Sequence, residues 1–303
     1  TRVRSSAASD VYKRQGEMDA KNGEKAAESA LDLARAGLVL QIQEAAKQPG
    51  FAGVRPLLES AQVALRAAKI ERKGADVTAS ASAKLDLAKT GPTVLEAVQK
   101  VRESAARTQG ANNLKQIALA MFNYQDAMNH FPAEAIYDKN GKPLLSWRVA
   151  ILPYIEQQEL YKQFKLDEPW DSEHNKKLLD QMPKVFAAPE DEQALQSHET
   201  HYQGFVGKGA YFDGTKGVKI ADITDGTSNT IMLVEAMNAV PWTKPEDVPF
   251  AGKLLPWVGG LRDRIFQAAM CDGSVRAIPM TIKEETLRAA ITRNGGEVLG
   301  PDW

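Results

Sequence analysis

From Pro92 to His130, apolar residues recur at alternating intervals of three and four. The positions are Val94, Val98, Val101 and Ala105, then Leu114, Ile117, Met121, Tyr124 and Met128, with a slip across Arg107 to Asn113. That spacing is the stripe of one long amphipathic helix. Gly91-Pro92 opens it, because proline is tolerated in a first turn and Glu96 sits favourably near the positive end of the helix dipole. Pro132 closes it, because the residue before a proline is pushed out of the α region. At 1.5 Å per residue an unbroken helix of this length reaches about 55 Å.

The residues that follow change character. Asp138-Lys139-Asn140-Gly141 reads as a turn, and Ser146 can cap a short helix carrying Val149, Ile151, Leu152, Ile155 and Leu160, with Pro153 kinking or restarting it. A further short helix is predicted over His174 to Gln181. Beyond Pro189, short runs rich in Tyr, Phe, Val and Ile alternate with Gly and Asp: Tyr202 to Val206, Val218 to Ile220, Thr230 to Val234 and Gln267 to Cys271. These are strands of a mostly antiparallel sheet. The fold class expected is therefore α+β, a long helix packed on an antiparallel sheet.

Ahead of the long helix lies a different region. The first fifteen residues, TRVRSSAASDVYKRQ, have neither helical nor strand periodicity and resemble translated adapter sequence, so 1–15 are expected to be a non-native disordered tail. From Glu24 to Lys47, Ala27, Leu31, Ala34, Leu38 and Ile42 mark an amphipathic helix that Pro49 and Gly50 stop. A second helix is predicted from Val54 to Ala67. Ala68 to Arg72 and Asp76 to Asp86 then alternate around Lys73-Gly74 as a β-hairpin. The expected domains are 16–91, helical and hairpin, and 92–303, the helix on its sheet.

Composition bounds the function classes. With 38 Lys and Arg against 39 Asp and Glu, there is no basic excess to neutralise phosphates, which removes the electrostatic ground for nucleic-acid binding. The single cysteine, Cys271, excludes an internal disulfide framework and any multi-cysteine zinc site. It reads as a small buried apolar residue rather than a nucleophile. No window approaches the run of about 18 apolar residues that a membrane span needs, although a leader or anchor upstream of Thr1 is compatible with the given chain.

The stretch NNLKQIALAMFNYQDAMNHFP, Asn112 to Pro132, resembles the opening of a large bacterial prepilin-like family of unknown function related to the type II secretion pseudopilin G, also labelled solute-binding family ten, SBP_bac_10. SWRVAILPYIEQQELY (Ser146 to Tyr161), EPWDSEHNKKLL (Glu168 to Leu179), ITDGTSNTIMLVE (Ile223 to Glu235), VPWTKPEDV (Val240 to Val248), CDGSVRAIP (Cys271 to Pro279) and ITRNGGEV from Ile291 are similar to later blocks of that family, in order. The resemblance implies a pilin-like fold, an extracytoplasmic location and protein partners or a cell-surface assembly. It also implies two cysteines, one two residues before Asn112-Asn113 and one before Pro189. Gly110 and Ala188 stand there, together suggesting a lost pair. Residues 16 to 106 are charged and amphipathic where such proteins carry an apolar helix, which argues against filament assembly.

Motifs for chemistry are sparse. Asp225-Gly226-Thr227-Ser228-Asn229 and Asp272-Gly273-Ser274 crowd oxygen ligands into short loops, as calcium prefers, and the resemblance to pseudopilins adds weight to that reading. The same residues are what turns need, and a turn is the reading preferred here. No metal or other cofactor is expected, with Asp225, Asn229 and Asp272 the candidate calcium ligands if one binds. His130, His174, His198 and His201 match no zinc-peptidase spacing, and the His198-Glu199-Thr200-His201 stretch reads as a solvated loop. Ser146, Ser228 and Ser274 lie in no nucleophile-elbow context, and no phosphate loop occurs.

Trp147, Trp170, Trp242, Trp257 and Trp303 could line a groove for sugar or peptide, although tryptophan is more often core. The loop Pro241 to Pro256 is the expected recognition surface, with Trp242, Lys244, Glu246, Asp247 and Trp257. The sequence thus predicts a non-enzymatic surface or secretion-related structural or binding protein, the alternative being a small-molecule or glycan-binding protein that uses this loop.

Overall fold

The computed structural model describes residues 51–73, 76–80, 87–189, 191–251, 258 and 265–303, with separate positions between 22 and 44. The tail 1–15 lies outside them. The chain divides into two compact units, Thr1–Ser104 and Ala105–Trp303.

In the first unit, the described positions between 22 and 44 are helical. Helix α1 spans Phe51–Arg66, and strands β1 (Lys69–Lys73) and β2 (Asp76–Ser80) pair antiparallel from Lys69 opposite Ser80 to Lys73 opposite Asp76. The hairpin is the one the alternation predicts. Its strands are shorter than expected, and residues 81–86 lie outside the described ones.

Helix α2, Leu87–Met128, runs through 42 residues. It starts five residues earlier than the sequence suggests, so Gly91 and Pro92 lie in its second turn. A proline there forfeits only a single hydrogen bond close to an end whose first donors have no helical partner anyway. At the other end the helix stops before Pro132: Asn129 takes φ 63°, a left-handed conformation that asparagine tolerates at a helix terminus.

In the second unit, the part of α2 from Ala105 onward lies on a four-stranded antiparallel sheet, giving an α+β fold. The strands are β5 (Glu199–Gln203), β7 (Ile231–Pro241), β9 (Ile265–Met270) and β10 (Val275–Pro279), in the order β10-β9-β7-β5. Before them come the hairpin β3 (Ala135–Tyr137) with β4 (Pro143–Ser146) and two one-turn helices, α3 (Trp147–Ala150) and α4 (Gln158–Tyr161). Asp138 turns the hairpin, its Oδ1 accepting from the N–H groups of Asn140 and Lys142. Ser146 caps α3 as its position predicts, and Pro153 restarts the chain in a 3-10 turn, Leu152–Ile155. Helix α5 spans Glu192–Gln196 and helix α6 spans Glu284–Ile291.

The sheet separates two apolar clusters, because successive side chains of a strand point to opposite faces. On β9, Phe266, Ala268 and Met270 join Ile231, Leu287 and Ile291 on the α6 side. Ala269 faces Leu114, Ile117 and Met121 of α2, together with Trp147 and Trp242. Cys271 is fully buried in that second cluster, and burial pushes its thiol well above the ordinary range.

Two strands expected from composition take other forms. Val218 to Ile220 forms no strand: Val218 gives a single carbonyl to the Phe131 N–H, and a 3-10 turn follows over Ile220–Asp222. Just before Val218, Gly217 passes so close to Phe131 that a Cβ there would fall 1.6 Å from the Phe131 carbonyl oxygen. Tyr202 to Val206 is divided at Gly204. Upstream, β5 pairs antiparallel with β7; downstream, β6 (Phe205–Val206) pairs parallel with β8 (Val248–Pro249).

Candidate functional site

The strand breaks at Gly204 because its N–H leaves the ladder to donate to Oδ1 of Asp247 at 2.7 Å. Asp247 belongs to the loop that leads into β8 and is buried, and it is the centre of the most concentrated polar constellation among the described residues. Arg148 of α3 reaches the same oxygen through Nη2 at 3.0 Å, with both side chains at 0% exposure. Trp147 Nε1 donates to both carboxylate oxygens at 3.2 Å.

The remaining Arg148 donors are also engaged. Nε and Nη2 donate to the Tyr202 carbonyl at 3.1 and 2.8 Å, and Nη1 donates to the Ser146 hydroxyl at 2.7 Å. Burial pushes the Asp247 carboxyl up, while Arg148 and the N–H groups of Gly204 and Trp147 pull it down. Every neighbour of the carboxylate donates, an arrangement that suits the ionised acid alone, so the pair is charged. A buried ion pair repays its desolvation only when further hydrogen bonds support it, and here each guanidinium nitrogen and each carboxylate oxygen has at least one partner.

Glu134 stands at the edge of this network and is only half-buried. Burial, then the negative charge of Asp247, push its carboxyl up to about 7, against a hydrogen bond from Tyr137 and the charge of Arg148. The Tyr137 hydroxyl donates to Oε2 at 3.4 Å, and burial together with Glu134 pushes this phenol up to about 12. Glu134 is thus a proton acceptor near neutrality beside a sealed ion pair. The ion pair itself has no face open to a substrate.

This geometry corrects the expected recognition loop. Trp242 is fully buried: its Nε1 donates to the Leu179 carbonyl at 2.9 Å, and its ring stacks on Phe186 with centroids 5.8 Å apart. Asp247 is held by Arg148. Lys244 and Glu246 stay at the surface, paired with each other, and the Lys244 ammonium lies over the ring of half-buried Trp170 at 5.7 Å. Trp257 lies outside the described residues. Trp242 and Asp247 turn inward because they complete the core and the ion pair, so neither is presented to a ligand at the surface. Trp147 is core as well, and Trp303 is half-buried beneath the Arg276 guanidinium at 5.2 Å.

The Asp-Gly loops are built as turns. Gly226 and Gly273 take φ 100° and 83°, and Asp272 Oδ1 accepts from the Ser274 N–H at 2.8 Å. The Asp225 carboxylate accepts from the N–H groups of Gly295 and Gly296 at 2.8 and 3.0 Å, tying this loop to the C-terminal segment. Asn229 Nδ2 donates to the Asp225 carbonyl at 3.1 Å. The two loops adjoin where Cys271 N–H donates to the Thr230 carbonyl.

The histidines are scattered. His130 Nδ1 lies 2.7 Å from the Phe131 carbonyl, His174 Nε2 lies 2.8 Å from that of Gln163, and His198 approaches Asp180. His201 is not in a solvated loop as expected. It is buried in β5 between the Ala236 carbonyl at 2.8 Å and the Asp191 carboxylate at 3.0 Å, in a strand whose residues from Thr200 to Gln203 are all buried.

Residues 99–216 match SBP_bac_10, a family described as a protein of unknown function (DUF1559). No curated protein and no solved structure matches the chain. The matched stretch contains the second half of α2, the hairpin β3–β4, Arg148 and the first strand of the sheet.

Proposed function

We propose that the chain is a non-enzymatic, extracytoplasmic structural or binding component of pseudopilin-like type, serving at the cell surface or in secretion. One observation carries this reading. The C-terminal part of a long helix lies on a four-stranded antiparallel sheet, in the layout that the resemblance to pseudopilins implies, and the densest polar constellation among the described residues is a sealed ion pair that ties Arg148 and Asp247 to the chain at Tyr202 and Gly204. An Arg–Asp pair sealed from solvent holds a scaffold and has no access to a substrate. Among the described residues no helix is long and apolar enough to cross a membrane.

The test is location and partnership. The complete gene, tagged at its C-terminus, is expressed in a diderm bacterium, and the cells are fractionated and lightly cross-linked. Recovery in the periplasmic, membrane or secreted fraction with cross-linked protein partners is expected. A product confined to the cytoplasm overturns the reading.

A further inference from the structure

The recognition loop turns inward, but the second unit has an open cleft elsewhere, of about 370 Å³. One wall is α2, which presents Gln116 and Leu119; the other two are the chain following the 3-10 turn Leu152–Ile155 and the segment Pro183–Val185. Leu119 is 61% exposed, although its helical neighbours Ile117, Ala118, Ala120 and Met121 are completely buried. With Ile155 and Val185 it supplies the apolar part of the cleft's lining. The volume falls within the range of small-molecule sites, which combine apolar lining with a few polar groups.

The polar groups at this rim are notable for what they leave unused. Glu156 and Lys184 are exposed, come from different walls, and have no ion-pair partner among the described residues. The amides of Gln116 and Gln157 likewise have no hydrogen-bond partner among them.

Glu156 is also held in place. Its φ is 62°, a left-handed conformation uncommon outside glycine, and its N–H is tied to the Leu152 carbonyl. The wall beside it is braced by Tyr154, packed edge-on against Tyr124 of α2 at 5.7 Å.

We propose that this cleft binds a small zwitterion with an apolar body, the chemistry shared by a free α-amino acid with an aliphatic side chain and by a short aliphatic peptide. The ligand's ammonium pairs with Glu156, its carboxylate with Lys184, the amides of Gln116 and Gln157 take further hydrogen bonds, and the aliphatic group covers Leu119. This site is independent of the location and partners argued above.

Calorimetric titration of the full chain tests it, with L-leucine, leucyl-leucine and the uncharged N-acetyl-leucine amide as probes. Binding of L-leucine or leucyl-leucine, with K184M and E156Q each weakening it about tenfold, is expected, since one charge-assisted contact is worth roughly that factor. Which of the two binds identifies the source of the ligand. L119D is expected to abolish binding while leaving the circular dichroism spectrum unchanged. The proposal is overturned if neither zwitterion binds at about 10 mM, a weak limit for a specific site. Equal binding of the uncharged probe, or affinity untouched by the charge substitutions, overturns it as well.

Discussion

A Cβ on Gly110 would stand 3.1 Å from Oε1 of Glu235, with the Tyr202 hydroxyl at 3.4 Å and Gln267 Oε1 at 3.5 Å. These three side chains form one row across β5, β7 and β9, since Tyr202 pairs with Glu235 and the Gln267 N–H donates to the Glu235 carboxylate at 3.0 Å. Gln267 Nε2 reaches up to the Arg107 carbonyl of α2 at 2.8 Å, and Asn113 Nδ2 donates to the Ala187 carbonyl at 3.0 Å. Around Gly110 the helix therefore meets the sheet through polar groups at close range, with the apolar core beginning one turn later at Leu114.

Gly110→Val should consequently destabilise the fold, although glycine inside a helix is itself unfavourable. Forcing a branched side chain against the row costs about 1–3 kcal/mol, read as a lower urea midpoint at unchanged slope. An unchanged midpoint would mean that helix and sheet are not in contact at this place.

Asp247→Ala leaves the Arg148 guanidinium buried without a counter-charge and should cost about 3–5 kcal/mol in equilibrium unfolding. The paired replacement Arg148→Met with Asp247→Leu should cost clearly less, because it leaves no orphaned charge. If the double variant were as unstable as the single one, the loss would come from packing instead.

Glu134 supplies a pH dependence. Its carboxyl rises from 4.5 in the unfolded chain to about 7 in the fold, so over that interval the folded state holds the proton and the unfolded state has lost it. Stability is highest below this window and falls as pH rises through it. Glu134→Gln should match the wild type near the acid end and exceed it at the alkaline end by an amount on the order of 1–3 kcal/mol. Parallel stability curves for the two proteins across the window would show that Glu134 is not perturbed.

The cysteine pair implied by the resemblance predicts that Gly110→Cys with Ala188→Cys forms a disulfide under mild oxidation. The Asn113–Ala187 bond already brings α2 alongside this segment. The bridge closes a loop that could add roughly 4 kcal/mol in the chain-entropy model, less the strain of moving Glu235 aside. Thiol counting in denaturant should find only Cys271, which is too buried to compete. Three titratable thiols after oxidation would sink the pairing.

The long helix was legible in the sequence because its signals are local: a three-and-four stripe and a proline beyond its end. The turns at Asp138 and Asp272 were legible for the same reason, since Asx geometry acts within four residues. The order of the sheet and the break at Gly204 were not. Arg148 and Asp247 are 99 residues apart, and nothing near either one says that they meet. Their meeting buries Asp247 and takes Gly204 out of the strand. Periodicity and turn chemistry constrain what each segment becomes on its own; which charges are desolvated, and which remain free to bind, depends on distances that exist only after the chain has folded.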